Sequence, residues 1–190
     1  MKMSELPIVT YDKQEYIETA SGNKVSRRSV LCGAHNIVLN GKTIIQSGAI
    51  VRGDLASIRV GRRCVISRNV VIRPPYKRIP KGLNFYPQQI GDHVFVGEGS
   101  VVSAQSIGSY VHIGKNCVIG RRAVLRDCCM IADDSIVSPE TTVPSYAIYS
   151  GNPARYTGEL PGPCQSILAD YTNSYYLNFI PQEHTSDIVK

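Results

Sequence analysis

The most regular feature of the chain is an aliphatic residue that recurs every six positions, with a single five-residue step in the series. Its members are Ile90, Val96, Val102, Ile107, Ile113, Ile119, Leu125, Ile131, Val137 and Val143. Four positions after each of them stands a small or β-branched residue, such as Ser100, Cys117 or Ala123. A period of six fits neither an α-helix nor a heptad, but it is typical of a parallel β-helix built from hexapeptides. The pattern therefore predicts an all-β solenoid with both residue types pointing inward.

The same period is present earlier in the chain, with interruptions. It runs through Leu39, Ile45 and Val51, breaks near Gly53, and resumes from Val60 to Ile72. Residues 74–89 show no repeat and are rich in proline and basic residues. A long insertion in a compact domain is usually functional or disordered. We expect a loop that leaves the solenoid and contacts partners through Arg73, Tyr76, Lys77, Arg78, Lys81 and Phe85.

The small residues of the repeat lead to two further predictions. Glycine follows the aliphatic residue in several units, for example at Gly91 and Gly97, and we expect it where a corner needs unusual backbone dihedrals. Cys64, Cys117 and Cys129 occupy the small inward position. There a cysteine acts as a small apolar residue, so no disulfide framework is expected.

The two ends depart from the repeat, which gives three predicted regions: 1–36, 37–157 and 158–190. The first forms either a cover for the end of the solenoid or its first coil, because an open strand edge needs covering. The second is the β-helix with its loop at 74–89. In the third, Ile167, Leu168, Tyr171 and Tyr175 have helical spacing. They predict a helix over about Cys164–Phe179 that packs along the solenoid, followed by a loose tail.

Composition narrows the function classes. The formal net charge is +6, with no Trp and three Phe. Such charge fits an acidic protein surface, nucleic acid or a solvated exterior, but no nucleic-acid motif is present, and few aromatic residues could stack on bases. There is no apolar run long enough to span a membrane and no apolar core of a signal peptide near the N-terminus. We expect a cytosolic protein without nucleic-acid or membrane partners.

The repeats and the closing motif Gly151-Asn152-Pro153-Ala154 resemble the left-handed β-helix superfamily, which includes acyltransferases and γ-class carbonic anhydrases. The resemblance implies left-handed coils of three hexapeptides. It also places the three zinc-binding histidines of the carbonic anhydrases at Arg73, Glu98 and Ser103. None of these is a histidine, and catalytic zinc needs three protein ligands. We therefore predict no metal, no cofactor and no carbonic anhydrase activity.

Two histidines and one pair of charged residues are candidates for other roles. Hexapeptide acyltransferases use a histidine as general base, and His93 and His112 lie at non-core positions of the repeat. We interpret both as exposed surface residues, because exposed solenoid positions accept any polar side chain. Arg52 and Asp54 are predicted to form a salt bridge that supports a corner.

A narrower resemblance covers most of the chain and includes many residues that the repeat does not dictate. The stretches are 15–27, 36–45, 72–75, 90–95, 114–122 and 127–129. In them the chain is similar to the dynactin subunit 5 family of small pointed-end subunits. That resemblance implies a non-enzymatic structural or adaptor subunit in the cytoplasm and cytoskeleton. The implied partners are a paralogous left-handed β-helix subunit, the pointed-end actin-related protein, a larger pointed-end subunit and dynein cargo adaptors.

Overall fold

The computed structural model describes residues 6–183, which form a β-helix of about six coils with one C-terminal helix. Two strands precede the coils, β1 (Val9–Tyr11) and β2 (Tyr16–Glu18). A short 3-10 helix lies at Ala34–Asn36. The strands of the coils, with one hairpin between them, are β3 (Lys24–Ser26), β4 (Val30–Cys32), β5 (Ile37–Leu39), β6 (Ile44–Ile45), β7 (Ile50–Arg52), β8 (Ile58–Val60), β9 (Val65–Ile66), β10 (Val71–Ile72), β11 (Tyr76–Ile79), β12 (Gly82–Phe85), β13 (Gln88–Ile90), β14 (Phe95–Val96), β15 (Val101–Val102), β16 (Ser106–Ile107), β17 (His112–Ile113), β18 (Val118–Ile119), β19 (Val124–Leu125), β20 (Met130–Ile131), β21 (Ile136–Val137) and β22 (Thr142–Val143). The chain ends with β23 (Ala147–Gly151), β24 (Ala154–Glu159), α1 (Cys164–Asn178) and β25 (Phe179–Pro181).

Each coil contributes one strand to each of three sheets, which form the three faces of the solenoid. The covered face contains β3, β6, β9, β14, β17, β20 and β23, and is extended by β2 and β24. The aliphatic face contains β4, β7, β10, β15, β18 and β21, and the mixed face contains β5, β8, β13, β16, β19 and β22. Strands of successive coils pair in parallel, as between β10 and β15. The architecture confirms the predicted left-handed β-helix.

The core is a column of inward-pointing aliphatic side chains. Ile72, Val102 and Ile119 occupy equivalent positions in three successive coils and have no exposed surface. Cys64 and Cys117 fill the small inward position, as predicted, and are also fully buried. All six cysteines are free. Because every coil buries its side chains against the coils above and below, stability depends on stacking between neighbours.

The glycines that follow the aliphatic residues serve a purpose different from the one expected. Neither Gly91 nor Gly97 has a positive φ. Instead, a Cβ added to Gly97 would lie 2.5 Å from the backbone carbon of Gly114 in the next coil, and one on Gly91 would lie 2.7 Å from that of Gly108. The prediction of unusual dihedrals was therefore wrong, because the requirement at these positions is close approach of adjacent coils.

Left-handed backbone conformations occur instead at corner residues with side chains, including Arg63, His93 and Asn116. Aspartates stabilise the neighbouring turns. The Oδ1 atoms of Asp127 and Asp133 each accept a hydrogen bond of 2.8 Å from a backbone N–H of the previous coil. These two aspartates are exposed, and their carboxylates join one coil to the next.

The N-terminal region supplies both a cover and the first coil. Strand β2 pairs antiparallel with β3, whereas β3 and β4 already pair in parallel with the second coil. The parallel coils thus begin at Lys24, before the boundary predicted at residue 37. Val25, Leu31 and Ile37 stand six positions apart and pack into the core. This spacing was the signal for an earlier start.

The C-terminal helix lies where it was predicted, and it packs on the covered face. Tyr171 contacts the rings of Phe95 and His112, with centroids 5.3 and 5.6 Å apart. The Tyr175 hydroxyl accepts a 2.7 Å hydrogen bond from Gln46. After the helix, β25 pairs in parallel with β1, so the two ends of the described chain meet. The predicted tail at 184–190 lies outside the described residues.

Candidate partner-binding surfaces

The segment predicted as an irregular loop is a β-hairpin. Strand β11 pairs antiparallel with β12, and the turn between them ends at Gly82, whose φ is 126°. No atom approaches within 4 Å of a Cβ added to Gly82. The last two residues of the expected loop, Gln88 and Gln89, belong to β13 of the solenoid. The boundary was wrong because this strand starts with a glutamine, whereas most strands of the solenoid start with an apolar residue. Gln88 is buried, and its Nε2 donates a 2.8 Å hydrogen bond to the Ala104 carbonyl.

Three of the six predicted site residues anchor the hairpin to the solenoid. Tyr76 and Phe85 are cross-strand partners with ring centroids 5.7 Å apart. The guanidinium of Arg73 lies 5.8 Å from the centre of the Tyr76 ring, and that of Arg121 lies 5.4 Å from it. Such cation–π contacts contribute about 0.5–1 kcal/mol at exposed sites. Arg121 follows β18, two coils beyond β10, so these contacts hold the base of the hairpin along the corner.

The other three predicted residues form the outer part of the hairpin. Lys77, Arg78 and Lys81 are exposed, and none of them forms a salt bridge within residues 6–183. Two apolar side chains accompany them, because Leu83 is 48% and Ile79 38% exposed. The hairpin therefore presents free positive charge next to apolar surface, a combination that suits an acidic partner with an apolar patch.

A second surface emerges only from the strand register. On the aliphatic face, the outward-pointing residues of all six strands are β-branched aliphatic residues aligned with one another: Val30, Ile50, Val71, Val101, Val118 and Ile136. Val30 is 50% and Val118 39% exposed, and the other four are partly exposed. Sequence reasoning missed this surface. The signal was a β-branched residue directly before the inward aliphatic residue in every third unit.

The other two faces have different outer surfaces. Phe95, His112 and Met130 point outward from the covered face, where helix α1 lies over them. The mixed face carries mainly polar residues at the equivalent positions, for example Arg59 and Gln89. The aliphatic face alone combines an apolar outer surface with no covering element among residues 6–183.

Neither histidine of the repeat occupies the exposed position that was predicted. The His93 Nδ1 lies 2.7 Å from the Thr172 hydroxyl of α1, and the His112 ring stacks on Phe95 at 4.9 Å. Burial lowers the pKa of His93, and it lowers the pKa of His112 to about 4. The prediction failed because the helix covers this face, and the repeat does not show which face is covered.

The positions that correspond to zinc ligands lie in two different parts of a coil. Arg73 and Ser103 directly follow the adjacent strands β10 and β15, whereas Glu98 lies in the corner before β15. Within residues 6–183, no group of three or more His, Cys, Asp or Glu side chains could hold a metal ion.

The salt bridge predicted between Arg52 and Asp54 is confirmed: Arg52 Nε lies 2.8 Å from Asp54 Oδ1. This contact lowers the pKa of Asp54.

A basic depression of about 510 Å³ lies at the corner between the mixed face and the covered face. Lys42, Arg62, Arg63 and Asp92 line it together with His93. The Oδ1 of Asp92 accepts a hydrogen bond of 2.8 Å from the backbone N–H of Arg62. This carboxylate therefore stabilises a turn between two neighbouring coils. Among the described helices, none is long and apolar enough to cross a membrane.

Comparison with known proteins gives the class first. A hexapeptide transferase family protein from Anaplasma phagocytophilum matches with a TM-score of 0.65 and 20% identity, covering 86% of this chain and 96% of that one. The N-acyltransferase AntD from Bacillus cereus matches with a TM-score of 0.66 and 12% identity over 86% and 93% of the two chains. At such identities the likeness shows the fold alone. The chain is a left-handed β-helix protein of the hexapeptide-repeat class.

Sequence comparison then identifies the family. The family model described as "Dynactin subunit 5" matches residues 1–185. A protein of that description from Dictyostelium discoideum is 53% identical over 176 residues, which cover 93% of this chain and 89% of the relative. The mitochondrial γ-carbonic anhydrase 2 of Arabidopsis thaliana is 26% identical over 74% of this chain, which spans about half (49%) of that enzyme. The chain belongs to the dynactin subunit 5 family and has the role of a dynactin subunit.

Proposed function

We propose that the chain is a non-enzymatic structural and adaptor subunit of the dynactin pointed-end complex, in the cytoplasm and at the cytoskeleton. In this role it supports dynein-dependent cargo transport along microtubules. The observation that carries the proposal is the uncovered aliphatic face, with six β-branched residues aligned across six strands. Contiguous apolar surface of this kind marks a site of protein interaction.

The aliphatic face suits a second left-handed β-helix subunit. Two sheets pack face to face at about 10 Å when their outer side chains interdigitate, and a flat row of valines and isoleucines permits such packing. Full burial of an exposed aliphatic side chain contributes about 1.5–3 kcal/mol, so each partly exposed residue of the row adds at most about 1 kcal/mol. The paralogous β-helix subunit of the complex is the partner proposed for this face.

The hairpin provides a separate contact for other members of the complex. Its exposed Lys77, Arg78 and Lys81 lie at one corner of the solenoid, next to the aliphatic face, since β11 follows β10 of that face. The proposed partners of this surface are acidic regions of the pointed-end actin-related protein, the larger pointed-end subunit or dynein cargo adaptors. Positive charge at an exposed rim increases the rate of encounter with acidic partners and favours their selection.

The test is affinity purification of the tagged chain from cells, with quantification of the co-purifying dynactin subunits. Val101→Lys places a charge in the centre of the aliphatic face. Val124→Lys makes the same change on the mixed face, where Val124 is the outward residue of β19 and is likewise partly exposed. We expect Val101→Lys to reduce recovery of the β-helix partner at least about tenfold and Val124→Lys to leave it unchanged. Equal recovery with both variants would contradict the proposed interface.

A further inference from the structure

The basic depression is lined by a ladder of equivalent corner residues. Lys42, Arg63 and His93 follow the mixed face at the same place in three successive coils. The Arg63 N–H donates a 3.1 Å hydrogen bond to the Gly41 carbonyl, and the His93 N–H donates one of 2.8 Å to the Arg62 carbonyl. Because neighbouring strands of a sheet lie about 4.8 Å apart, these residues follow one another along the corner at about that spacing.

The cations of this depression have no carboxylate partner. Arg122, at another corner of the solenoid, forms an ion pair of 2.9 Å with Glu140. In contrast, Lys42, Arg62 and Arg63 form no salt bridge within residues 6–183. Their positive charges are therefore available to an anionic ligand.

One of these cations is held in place by helix α1. The guanidinium of Arg63 lies 5.2 Å from the centre of the Tyr176 ring. The Tyr176 hydroxyl in turn donates a 2.7 Å hydrogen bond to the Gly22 carbonyl. Arg63 is partly buried, whereas Lys42 and Arg62 are exposed. A guanidinium that is already ordered loses less conformational freedom on binding, and its planar fork suits the oxygens of a phosphate.

The net charge of the depression matches that of a phosphate monoester. Lys42, Arg62 and Arg63 supply three positive charges, and Asp92 supplies one negative charge. Burial lowers the pKa of His93, so its ring is neutral near pH 7. The excess is therefore two positive charges. A phosphate monoester carries about −1.5 to −2 at pH 7 and has three acceptor oxygens, whereas a carboxylate carries a single negative charge and two oxygens.

The rest of the lining favours a polar ligand larger than the phosphate alone. It consists of Ser21, Asn40, Gly41 and Asn173. Among residues 6–183, no Val, Leu, Ile, Met or Phe lines the depression, so it offers no apolar wall to a lipid chain or a nucleotide base. Its volume of about 510 Å³ lies in the usual range for ligand sites and leaves room for the main chain on both sides of a phosphorylated residue.

We propose that this depression binds a phosphoserine of a partner protein, with Lys42, Arg62 and Arg63 on the phosphate oxygens. Asn40 and Asn173 hydrogen-bond to the main chain beside the phosphoserine. The contact would make one association of the subunit depend on phosphorylation. It is separate from the surfaces proposed for assembly, since none of the lining residues belongs to the aliphatic face or the hairpin.

The test uses three probes: a capped peptide Gly-Ser-phosphoserine-Ser-Gly, the same peptide without phosphate, and glycerol phosphate. Calorimetry, with NMR spectra of the arginine side-chain N–H groups, should show saturable binding of the phosphopeptide and shifts of the Arg62 and Arg63 signals. The unphosphorylated peptide should bind at least about a hundredfold more weakly. Glycerol phosphate should bind about fivefold more weakly, because it lacks the flanking main chain.

Charge variants test the residues of the depression. Arg62→Gln with Arg63→Gln should weaken phosphopeptide binding at least about tenfold. The matched control, Lys115→Gln with Arg155→Gln, makes the same change in net charge at exposed sites elsewhere and should change binding by less than about twofold. Asp92→Asn keeps the Oδ1 acceptor for the Arg62 N–H but removes a negative charge, so it should strengthen binding about two- to fivefold.

Thermal unfolding of each variant confirms that it is folded. The proposal is overturned if the phosphopeptide does not saturate the chain, if the two double variants bind it equally, or if Asp92→Asn does not strengthen binding. Equal affinity for glycerol phosphate and the phosphopeptide would overturn the assignment to a protein segment.

Discussion

The imidazole Nδ1 of His93 lies 2.7 Å from the hydroxyl oxygen of Thr172, and this contact joins a corner of the solenoid to the middle of helix α1. Thr172 is 1% exposed. The His93 ring also stacks on the ring of Tyr110, with centroids 5.2 Å apart. The helix is thus tied to the covered face by a polar contact inside a largely aromatic interface.

The first prediction concerns this contact. Thr172→Val keeps the shape of the side chain but removes the hydroxyl, which leaves the partly buried His93 nitrogen without that partner. We expect a loss of about 1–2 kcal/mol in the free energy of unfolding, measured by urea denaturation. Ser166→Ala changes an exposed hydroxyl on the same helix and should change stability by less than about 0.5 kcal/mol. Equal effects of the two substitutions would show that the contact does not contribute.

The second prediction concerns pH. The pKa of His112 is lowered from 6.5 to about 4 in the folded chain by burial, so between these values the unfolded chain binds a proton that the folded chain does not. Stability attributable to His112 is therefore fully present above about pH 6.5 and declines as the pH falls towards 4. The loss amounts to about 3 kcal/mol at most. The lowered pKa of His93 acts in the same direction.

Urea denaturation at several pH values between about 4 and 7 measures this dependence. His112→Phe should flatten the curve, leaving the smaller slope due to His93 and the carboxylates. A variant that keeps the full slope would exclude His112 as the titrating group.

The third prediction concerns the spacing of the coils. Gly97→Ala places a Cβ about 2.5 Å from backbone carbon and oxygen atoms of Gly114, and neither can move without separating two coils. We expect a destabilisation of about 1–3 kcal/mol or more, measured by thermal unfolding. Gly162→Ala is the matched control, because nothing lies within 4 Å of the added Cβ. A neutral Gly97→Ala would mean that the coils separate at little cost.

The fourth prediction concerns the hairpin. Lys77→Glu, Arg78→Glu and Lys81→Glu together reverse its three exposed charges and should weaken association with acidic partners by at least about tenfold. The association that remains should be less sensitive to salt concentration. Recovery of pointed-end subunits and adaptors after affinity purification at low and moderate salt is the measurement.

The control for the hairpin has the same change in net charge at exposed sites elsewhere on the solenoid: Arg59→Glu, Lys115→Glu and Arg126→Glu. These substitutions should reduce recovery much less. If both triple variants lose partners equally, net charge and not the hairpin determines the association.

Some features of the fold could be predicted because they depend on local spacing alone. The six-residue period places Ile113 and Ile119 inside the solenoid. Each unit of one strand and one corner is six residues long, so a side chain that points inward in one unit points inward again six residues later. The helix at Cys164–Asn178 was predictable from the spacing of its apolar residues. The first coil could also have been found, because Val25, Leu31 and Ile37 stand six positions apart, two positions out of phase with Leu39, Ile45 and Val51.

The candidate surfaces were less predictable. The basic hairpin was expected from its composition and its break in the repeat, but not the arrangement that fixes Tyr76 between Arg73 and Arg121. That arrangement joins residues from different coils. Likewise, the burial of His93 and His112 depends on which face the helix covers. The six-residue repeat is the same on all three faces, so it does not show which of them is covered.

The sequence by itself determined the solenoid and its inward residues, because each follows from residue identity at a fixed period. It also showed that none of the three positions that the resemblance assigns to zinc ligands is a histidine. Only the tertiary structure decided what the outside of the solenoid does. Residues such as Val30 and Val118 are far apart in the chain and form one surface only when the coils stack in register. Helix α1 covers one apolar face and leaves the other open. Which face the helix covers depends on packing between distant segments, and it determines which apolar face is left open for assembly.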